Sequence, residues 1–272
     1  MYFITFSRKM GTKGGEIARI VAKEMQYNFY DTEDIEKKAE EMGCLDDIRE
    51  IDGKVPPFWK RCFSERPEIC LNRLYAVIYE LARLGSAVIL GRGGNTLFRS
   101  LPYALHVRVT ASQAKRVRNL VERGYTRDAA VSALEKSDHE RESFIRFAFN
   151  RDWDNPEFYD VVLNMDKLNI NTAVDMIVCA AHADEIQGQT SGVMHSLNIM
   201  ELAIRVGTAL AGAGFPASSI SPFVDEPGKV RLTGVVQVPW GKSVAEQTVR
   251  GVDGVEYVEN EIQIASRLSL RY

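Results

Sequence analysis

The most constraining feature of this sequence is a set of short, almost uninterrupted apolar runs that alternate with helical patterns. Ser86–Leu90 (SAVIL), Ala104–Val109 and Tyr159–Leu163 (YDVVL) carry apolar residues at successive positions, as strands buried on both faces do. Leu71–Leu84 has helical periodicity and is followed by Gly85, a residue that often ends helices. Buried strands separated by helices predict an α/β fold in which helices cover a parallel sheet.

Two more strands are predicted near the start of the chain, at Tyr2–Phe6 and Asn28–Tyr30, with a helix from about Gly15 between them. Ligands of parallel sheets bind at the carboxyl ends of the strands. The loops that follow these two strands and Leu90 are therefore expected to converge on a functional site.

The loop after the first strand, SRKMGTKGG, combines glycines with basic residues, among them Arg8, Lys9 and Lys13. Glycines let backbone amides approach an anion closely, and the start of a helix adds unpaired N–H groups and a positive dipole end. The loop is predicted to bind phosphate, and the alternative is a plain glycine-rich turn between a strand and a helix.

This loop departs from the regular Walker sequence. Counted back from Lys13, Ser7 and Thr12 stand where the two glycines are expected, and Gly14 stands where a serine or threonine would bind magnesium. Thr12 is the remaining candidate in the loop for a Mg²⁺ ligand.

Several motifs follow one another in a recognisable order: ITFSRKMGTKGGEIA (4–18), FYDTEDIEKKAEEMG (29–43), VILGRGG (88–94) and a charged helix with a DW turn (138–168). Together they resemble the cytidylate kinase-like family, in its atypical P-loop branch, over residues 1–182. The resemblance implies a three-layer α/β/α kinase domain with a parallel sheet and a helical lid. It also implies ATP-dependent phosphoryl transfer to a nucleoside monophosphate such as CMP or dCMP, with ATP and Mg²⁺ required.

The resemblance also assigns roles on the donor side. Aligned through Glu16-Ile17-Ala18, Gly14 falls where conventional kinases have the catalytic lysine, and Lys13 lies one place earlier. The catalytic residues that the resemblance implies are Lys13, Arg141 and Arg116. The implied ATP phosphate contacts are Gly11, Thr12, Lys13, Gly14, Gly15 and Glu16.

On the acceptor side, Arg92 directly follows the buried SAVIL strand. A buried guanidinium is costly without an anionic partner and suits bidentate phosphate binding. Asp31 fits both a helix N-cap and an acceptor contact, and the two roles are compatible. The resemblance implies that Arg8, Asp31 and Arg92 bind the acceptor monophosphate. Gly93 replaces the aspartate that cytidine-specific members often have, so the acceptor base stays open.

Residues 105–151 hold ten Lys and Arg against six Asp and Glu. Arg123 and Arg127 are explained by ion pairs on the solvated surface of two helices, without a role in a lid. The better candidates for a mobile lid over the transferred phosphoryl group are Arg116, Arg118, Arg141, Arg146 and Arg151. Trp153 fits a core or hinge position better than a base-stacking one.

After a polar stretch at residues 184–195, the pattern changes to a helix (Ser196–Ala211) and short strands, with a bulge or turn expected at Gly234 and one strand at Val255–Ile264. This part resembles a BON domain over about residues 196–265. The resemblance implies a small α+β interaction or regulatory module with a protein or lipid ligand. The predicted domains are 1–184 and 196–272, joined by a linker at 185–195.

Charge and composition exclude several classes of protein. With 34 Lys and Arg against 37 Asp and Glu, the net charge of −3 argues against a nucleic acid polymer as partner. No apolar run reaches the ~18 residues of a membrane-spanning helix, the opening residues lack a secretion signal, and no C-x-x-C pair occurs. A cytoplasmic location is expected, and the oligomeric state is open.

Three functions stay open on the sequence alone. The first is a nucleoside monophosphate kinase with an appended interaction module, favoured by Asp31, Arg92 and the lid arginines. The second is a nucleotide sensor without catalysis, favoured by the altered phosphate loop. The third is a kinase of a small non-nucleotide alcohol, because related folds phosphorylate such acceptors.

Overall fold

The computed structural model describes residues 3–52, 67–99, 101, 103–187 and 192–265. Tyr2, the first residue of the predicted opening strand, lies outside the described residues, as do 266–272 of the predicted second domain. The described residues fall into two compact units. The first is built mainly from residues 3–45 and 80–193, and the second from 46–51, 67–79 and 194–265.

Five strands form the sheet of the first unit: β1 (Phe3–Arg8), β2 (Asn28–Tyr30), β3 (Ala87–Leu90), β4 (Ala104–Thr110) and β5 (Val161–Asn164). Their order is β2-β3-β1-β4-β5, and all neighbouring pairs are parallel. The predicted parallel sheet is therefore confirmed. Because the strands are parallel, the loops after β1, β2 and β3 open at the same edge.

The described residues form helices of 4 to 23 residues. In chain order these are α1 (Gly14–Glu24), α2 (Thr32–Glu41), α3 (Leu45–Asp52), α4 (Pro67–Arg83), α5 (Gly94–Leu97), α6 (Gln113–Val121), α7 (Arg127–Phe149), α8 (Ile170–Ala181), α9 (Asp184–Gln187), α10 (Val193–Gly212) and α11 (Pro239–Arg250). In the described part of the chain, none of them combines the length and the apolar character that a bilayer span requires.

The core of the first unit lies on both faces of its sheet. On one face, Phe6 and Val107 pack with Val21 of α1 and Ile177 of α8. On the other face, Phe3 stacks on Phe98 at the end of α5, with ring centroids 4.9 Å apart. Burial of each such side chain contributes about 1.5–3 kcal/mol, so the near-continuous apolar strands follow from burial on two sides.

The second unit has its own mixed sheet. Its strands are β6 (Ile220–Glu226), β7 (Lys229–Val236), β8 (Tyr257–Asn260) and β9 (Gln263–Ile264). β6 pairs antiparallel with β7, and β7 pairs parallel with both β8 and β9. α10 and α11 supply the buried partners of this sheet. The expected small α+β arrangement is therefore present.

The prediction of one continuous strand over Val255–Ile264 was wrong. The side chain of Asn260 ends β8, because its Oδ1 accepts from Ile262 N (3.2 Å) and its Nδ2 donates to Lys242 O (3.0 Å). Such an asparagine turn offers the backbone an alternative to the sheet ladder.

The bulge expected at Gly234 was also wrongly placed. Gly234 pairs in register with Ile220, and the irregularity lies between Val224 and Glu226. A Cβ on Gly234 would lie 2.1 Å from the carbonyl oxygen of Ser219, so glycine is required there by a close backbone approach.

The predicted linker is helical at its two ends. Residues 185–187 belong to α9 and residues 193–195 belong to α10, whereas residues 188–191 lie outside the described part of the chain. The domain boundaries at 184 and 196 stay predictions.

Candidate active site

The loop between β1 and α1 is closed by its own side chains and backbone. Thr12 Oγ1 donates to Lys9 O (2.8 Å) and accepts from Gly14 N (3.3 Å), and Thr12 is 1% exposed. Lys13 occupies the N-cap position of α1 in the left-handed conformation, with φ of 62°. The hydroxyl of Thr12 thus holds the shape of the loop.

Helix α6 fixes the same loop from outside. Arg116 Nε donates to Met10 O (2.7 Å), and Asn119 Nδ2 donates to Gly11 O (2.7 Å). Both terminal nitrogens of Arg116 bind the carboxylate of Asp138 on α7 at 2.8 Å. Arg116 therefore supports the loop through Met10 O while a bidentate ion pair with the partly exposed Asp138 fixes its guanidinium, and a direct role of this residue in transfer stays a prediction.

A pocket of about 480 Å³ lies beside the loop. Thr12, Lys13, Lys115 and Asn119 line one side of it, and residues 165–171, between β5 and α8, line the other. Three lysines and three apolar side chains line this pocket together with one carboxylate, Asp166, and this lining suits a nucleoside that carries phosphates. Of the other predicted phosphate contacts, Glu16 is exposed on the first turn of α1.

A second cluster, the arginine cluster, comprises Arg8, Arg92, Arg141 and Asp31 at the carboxyl edge of the sheet. The guanidinium of Arg8 extends toward the loop after β3, where its Nη1 lies 2.3 Å from the Cβ that Gly91 would carry. Burial, followed by the charges of Arg141 and Arg92, lowers the pKa of Arg8 to about 10, and Asp31 acts in the opposite direction. The convergence expected of these loops is present.

Two members of the arginine cluster show strain or an unmet bond. Arg92 has φ of 55°, between Gly91 and Gly93, which also have positive φ. A residue with a side chain adopts this conformation at a cost of about 1–3 kcal/mol, and such residues concentrate at functional sites. Among the described residues, Nη1 of Arg141 is buried without a hydrogen-bond partner, and burial lowers the pKa of Arg141. The cluster is therefore suited to an anion.

Asp31 caps α2, as one of its two sequence interpretations predicts. Its Oδ1 accepts from Glu33 N (3.0 Å), its Oδ2 binds Arg19 Nη2 (2.6 Å), and Asp31 N donates to Asp34 Oδ2 (3.1 Å). Burial acts to raise the pKa of Asp31, but these hydrogen bonds outweigh it and the pKa lies below its ordinary value. The acceptor contact of Asp31 stays a prediction.

The remaining lid candidates lie elsewhere on the helices. Arg146 is exposed and pairs with Glu142 one turn earlier (2.5 Å). Arg118 lines a separate groove between α6 and α7, and Arg151 stacks over the ring of Phe158 at 5.0 Å. Of the predicted lid arginines, Arg141 is the one whose charge acts on Arg8.

Known families and structures provide an independent comparison. The sequence profile of the cytidylate kinase-like family matches residues 3–167. The chain belongs to this family. A second profile, that of the BON domain, matches residues 201–266, as the sequence motifs predicted. No curated protein matches the chain.

Three solved structures are similar to about two thirds of this chain. A protein from Eubacterium ventriosum has 20% identity and a TM-score of 0.54, and the match covers 69% of this chain and 98% of that one. A shikimate kinase from Bacteroides thetaiotaomicron has 13% identity and a TM-score of 0.42, with 66% and 98% covered. A gluconokinase from Sinorhizobium meliloti has 14% identity and a TM-score of 0.42, with 68% and 97% covered. The first of these, with a TM-score above 0.5, supports the α/β fold of the first unit.

Kinases of this kind generally use Mg²⁺ with their nucleotide, and the phosphate loop does not fit the ion well. The hydroxyl of Thr12 is buried and already makes two hydrogen bonds. Magnesium ligation through Thr12 stays a prediction that this geometry disfavours.

Sequence reasoning missed Arg108, a buried arginine on β4. Its Nη1 donates to Trp153 O (2.7 Å) and Tyr159 Oη (2.9 Å), its Nη2 binds Asp154, and its guanidinium lies over the ring of Trp153 at 4.3 Å. Trp153 is 5% exposed, which agrees with its interpretation as a core or hinge residue. Arg108 thus holds the turn that follows α7 against the sheet.

A sequence signal for Arg108 was present. It interrupts the apolar run ALHVRVT, and a charge in a strand buried on both faces needs a partner. The same argument singled out Arg92. The aspartate that satisfies Arg108 lies 46 residues further along the chain, so spacing did not reveal the pair.

Proposed function

We propose that residues 1–184 form a kinase domain that transfers a phosphoryl group from ATP to a nucleoside monophosphate, with CMP and dCMP as the first acceptors to test. A linker at 185–195 joins this domain to a BON module at 196–272. The observation that carries the proposal is the arginine cluster. Its three guanidinium groups, with one carboxylate that already caps a helix, lie at the edge where ligands of parallel sheets bind.

The donor nucleotide is assigned to the pocket beside the phosphate loop. Lys13 and Lys115 provide positive charge there, and the β5–α8 segment provides apolar surface for a base. Support for a phosphate chain also comes from the rigid loop, which Arg116 and Asn119 hold by two carbonyl oxygens. A fixed set of amides needs little reorganisation when charge arrives.

The acceptor monophosphate is assigned to the arginine cluster. A phosphate dianion would offset the mutual repulsion of Arg8, Arg92 and Arg141 and would give the buried Nη1 of Arg141 a partner. Arg92 would form bidentate bonds to this phosphate. In transfer, an ionised acceptor oxygen attacks the γ-phosphorus and ADP departs, so the protein mainly positions the reactants and neutralises charge.

The test is ATP consumption with CMP, dCMP, UMP and AMP in the presence of Mg²⁺, with product identified by chromatography. Arg92→Ala is expected to raise the acceptor KM by about 10–100-fold, because it removes one charge-assisted bidentate contact. Arg123→Ala, at an exposed arginine between α6 and α7, is the matched control. Unchanged kinetics for Arg92→Ala would remove this residue from the site.

A nucleotide sensor is the second candidate, because Gly14 stands in place of the usual catalytic lysine. Nucleotide binding without turnover across the acceptor panel would favour the sensor. Turnover with a small alcohol but with no monophosphate would identify the acceptor as a small alcohol instead.

In each case the BON module is assigned an interaction or regulatory role with a protein or lipid ligand. This role is tested by comparing the full chain with a chain ending at residue 184.

A further inference from the structure

The starting observation is that position 14 has no room for a side chain. A Cβ on Gly14 would lie 2.7 Å from Cβ of Arg8, and 3.2 Å from both Thr12 Oγ1 and Cβ of Val109. Contacts this short with a rigid Cβ force the backbone or the neighbouring strand to shift. A lysine at position 14, where conventional kinases have one, is therefore incompatible with the packing of Arg8 at the end of β1.

The side chain of Arg8 extends from that crowded position into the arginine cluster. Its Cβ packs over Gly14, and its Nη1 reaches the surface of Gly91, which follows β3. The guanidinium consequently lies between the phosphate loop and the loop that carries Arg92 and is close enough to Arg92 and Arg141 for their charges to act on it. Arg8 therefore links the phosphate loop, through the contact of its Cβ with Gly14, to the arginine cluster.

Lys13 lies in a different place. It adopts the left-handed conformation at the start of α1 and lines the pocket of about 480 Å³ together with Lys115 and Asn119. Its ammonium group is therefore available to the donor nucleotide. Lys13 therefore lies on the donor side of the site, whereas Arg8 belongs to the arginine cluster.

We propose that Arg8, from the end of β1, takes the place of the missing lysine and contacts the phosphoryl group during its transfer. This inference rests on the proposed function and changes the role of Arg8 from acceptor binding to stabilisation of the transferred group. An acceptor phosphate oxygen forms the new bond to the γ-phosphorus, and the bond to the β,γ-bridging oxygen breaks with its electron pair on ADP. Arg8 stays protonated throughout and exchanges no proton.

The kinetic test compares Arg8→Met and Arg8→Lys with Arg123→Met as the matched control. Arg8→Met is expected to lower kcat by about 10²–10³-fold with the acceptor KM within about 3-fold, whereas the KM for ATP rises because Arg8 already contacts the γ-phosphoryl group of the bound donor. Arg8→Lys should recover about 10-fold, because the charge returns without the planar fork. A kcat within 3-fold of wild type, or a change confined to the acceptor KM, would overturn the inference.

A binding test separates failure of this inference from failure of the proposed function. The affinities of ADP and of the β,γ-imido analogue of ATP are measured by titration calorimetry for wild type and Arg8→Met. Wild type is expected to bind the analogue more tightly, and Arg8→Met should lose most of that difference while keeping its affinity for ADP. Binding of this kind without any turnover would defeat the kinase proposal alone. The role of Arg8 would be overturned if wild type and Arg8→Met preferred the analogue over ADP by the same factor, or if wild type showed no such preference.

Discussion

Replacing Arg8 by methionine is expected to make the substrate-free protein more stable at neutral pH. Three guanidinium groups converge at the edge of the sheet, and one of them, Arg141, has a buried nitrogen without a hydrogen-bond partner among the described residues. Methionine keeps most of the aliphatic stem of Arg8 and removes one charge. The repulsion within the arginine cluster should therefore fall.

The magnitude follows from the pKa of Arg8, which burial and then the charges of Arg141 and Arg92 lower from its ordinary value to about 10. At about 1.36 kcal/mol per pH unit, this fall corresponds to a penalty of about 3 kcal/mol on the charged folded state. Solvent screening weakens that penalty, and methionine does not replace the packing of the guanidinium, so the expected net gain is about 1–2 kcal/mol. The penalty is fully present below pH 10 and declines as the pH rises above it toward the ordinary pKa of arginine, because the folded state releases the proton first.

The measurement is native-state hydrogen exchange of the slowest amides in β1 and β3, which gives a local free energy of opening. Arg8→Met should raise that free energy at pH 7, whereas Arg123→Met, at an exposed arginine, should leave it unchanged. A lower or equal value for Arg8→Met would refute the reasoning, because the guanidinium of Arg8 would then be satisfied within the protein.

Two further predictions concern contacts that hold each unit together. Asp138→Asn removes the charged partner of buried Arg116 and is expected to lower the free energy of unfolding, measured with urea, by about 2–3 kcal/mol. This value is at the low end for a broken ion pair because Asp138 is partly exposed. A loss of less than about 0.5 kcal/mol would contradict the structural role of the pair. Gly234→Ala places a Cβ 2.1 Å from Ser219 O at a φ of 140°. It should destabilise the second unit by about 2–4 kcal/mol, and unchanged exchange of the β6 and β7 amides would show that the backbone approach is looser.

The sheet was predictable because its strands are buried on two sides. β2 has the predicted bounds, and the predicted runs for β1, β3, β4 and β5 differ from the observed strands by one or two residues at an end. Such strands tolerate few polar residues, so apolar runs and the glycines that bound them carry the information. In the second unit, strands alternate between a buried and an open face, and the single predicted strand at 255–264 hid the turn made by the side chain of Asn260.

Some residues of the candidate site can be proposed from the sequence because one residue and its neighbours along the chain provide the signal. A cation directly after a buried strand indicated Arg92, and an aspartate before an acidic first turn indicated the cap at Asp31. The partner of a side chain on a helix cannot be predicted in this way, because it depends on which other element packs against the helix. Sequence places Arg116 near the phosphate loop, but only the approach of α7 brings Asp138 within 2.8 Å of its guanidinium.

The pair of Arg8 and Gly14 shows why the altered phosphate loop is hard to interpret from motifs. A motif compares each position with the same position in other proteins, and by that comparison position 14 has lost its lysine. In three dimensions, Cβ of Arg8 fills the space above Gly14, and the Arg8 guanidinium delivers a positive charge from a neighbouring strand. Restoring the motif with Gly14→Lys should therefore impair the site, because the new side chain meets the Cβ of Arg8 at 2.7 Å. A charge that the chemistry requires can be supplied from any element that reaches the same point, so its absence from one position of a motif does not establish that the site has lost it.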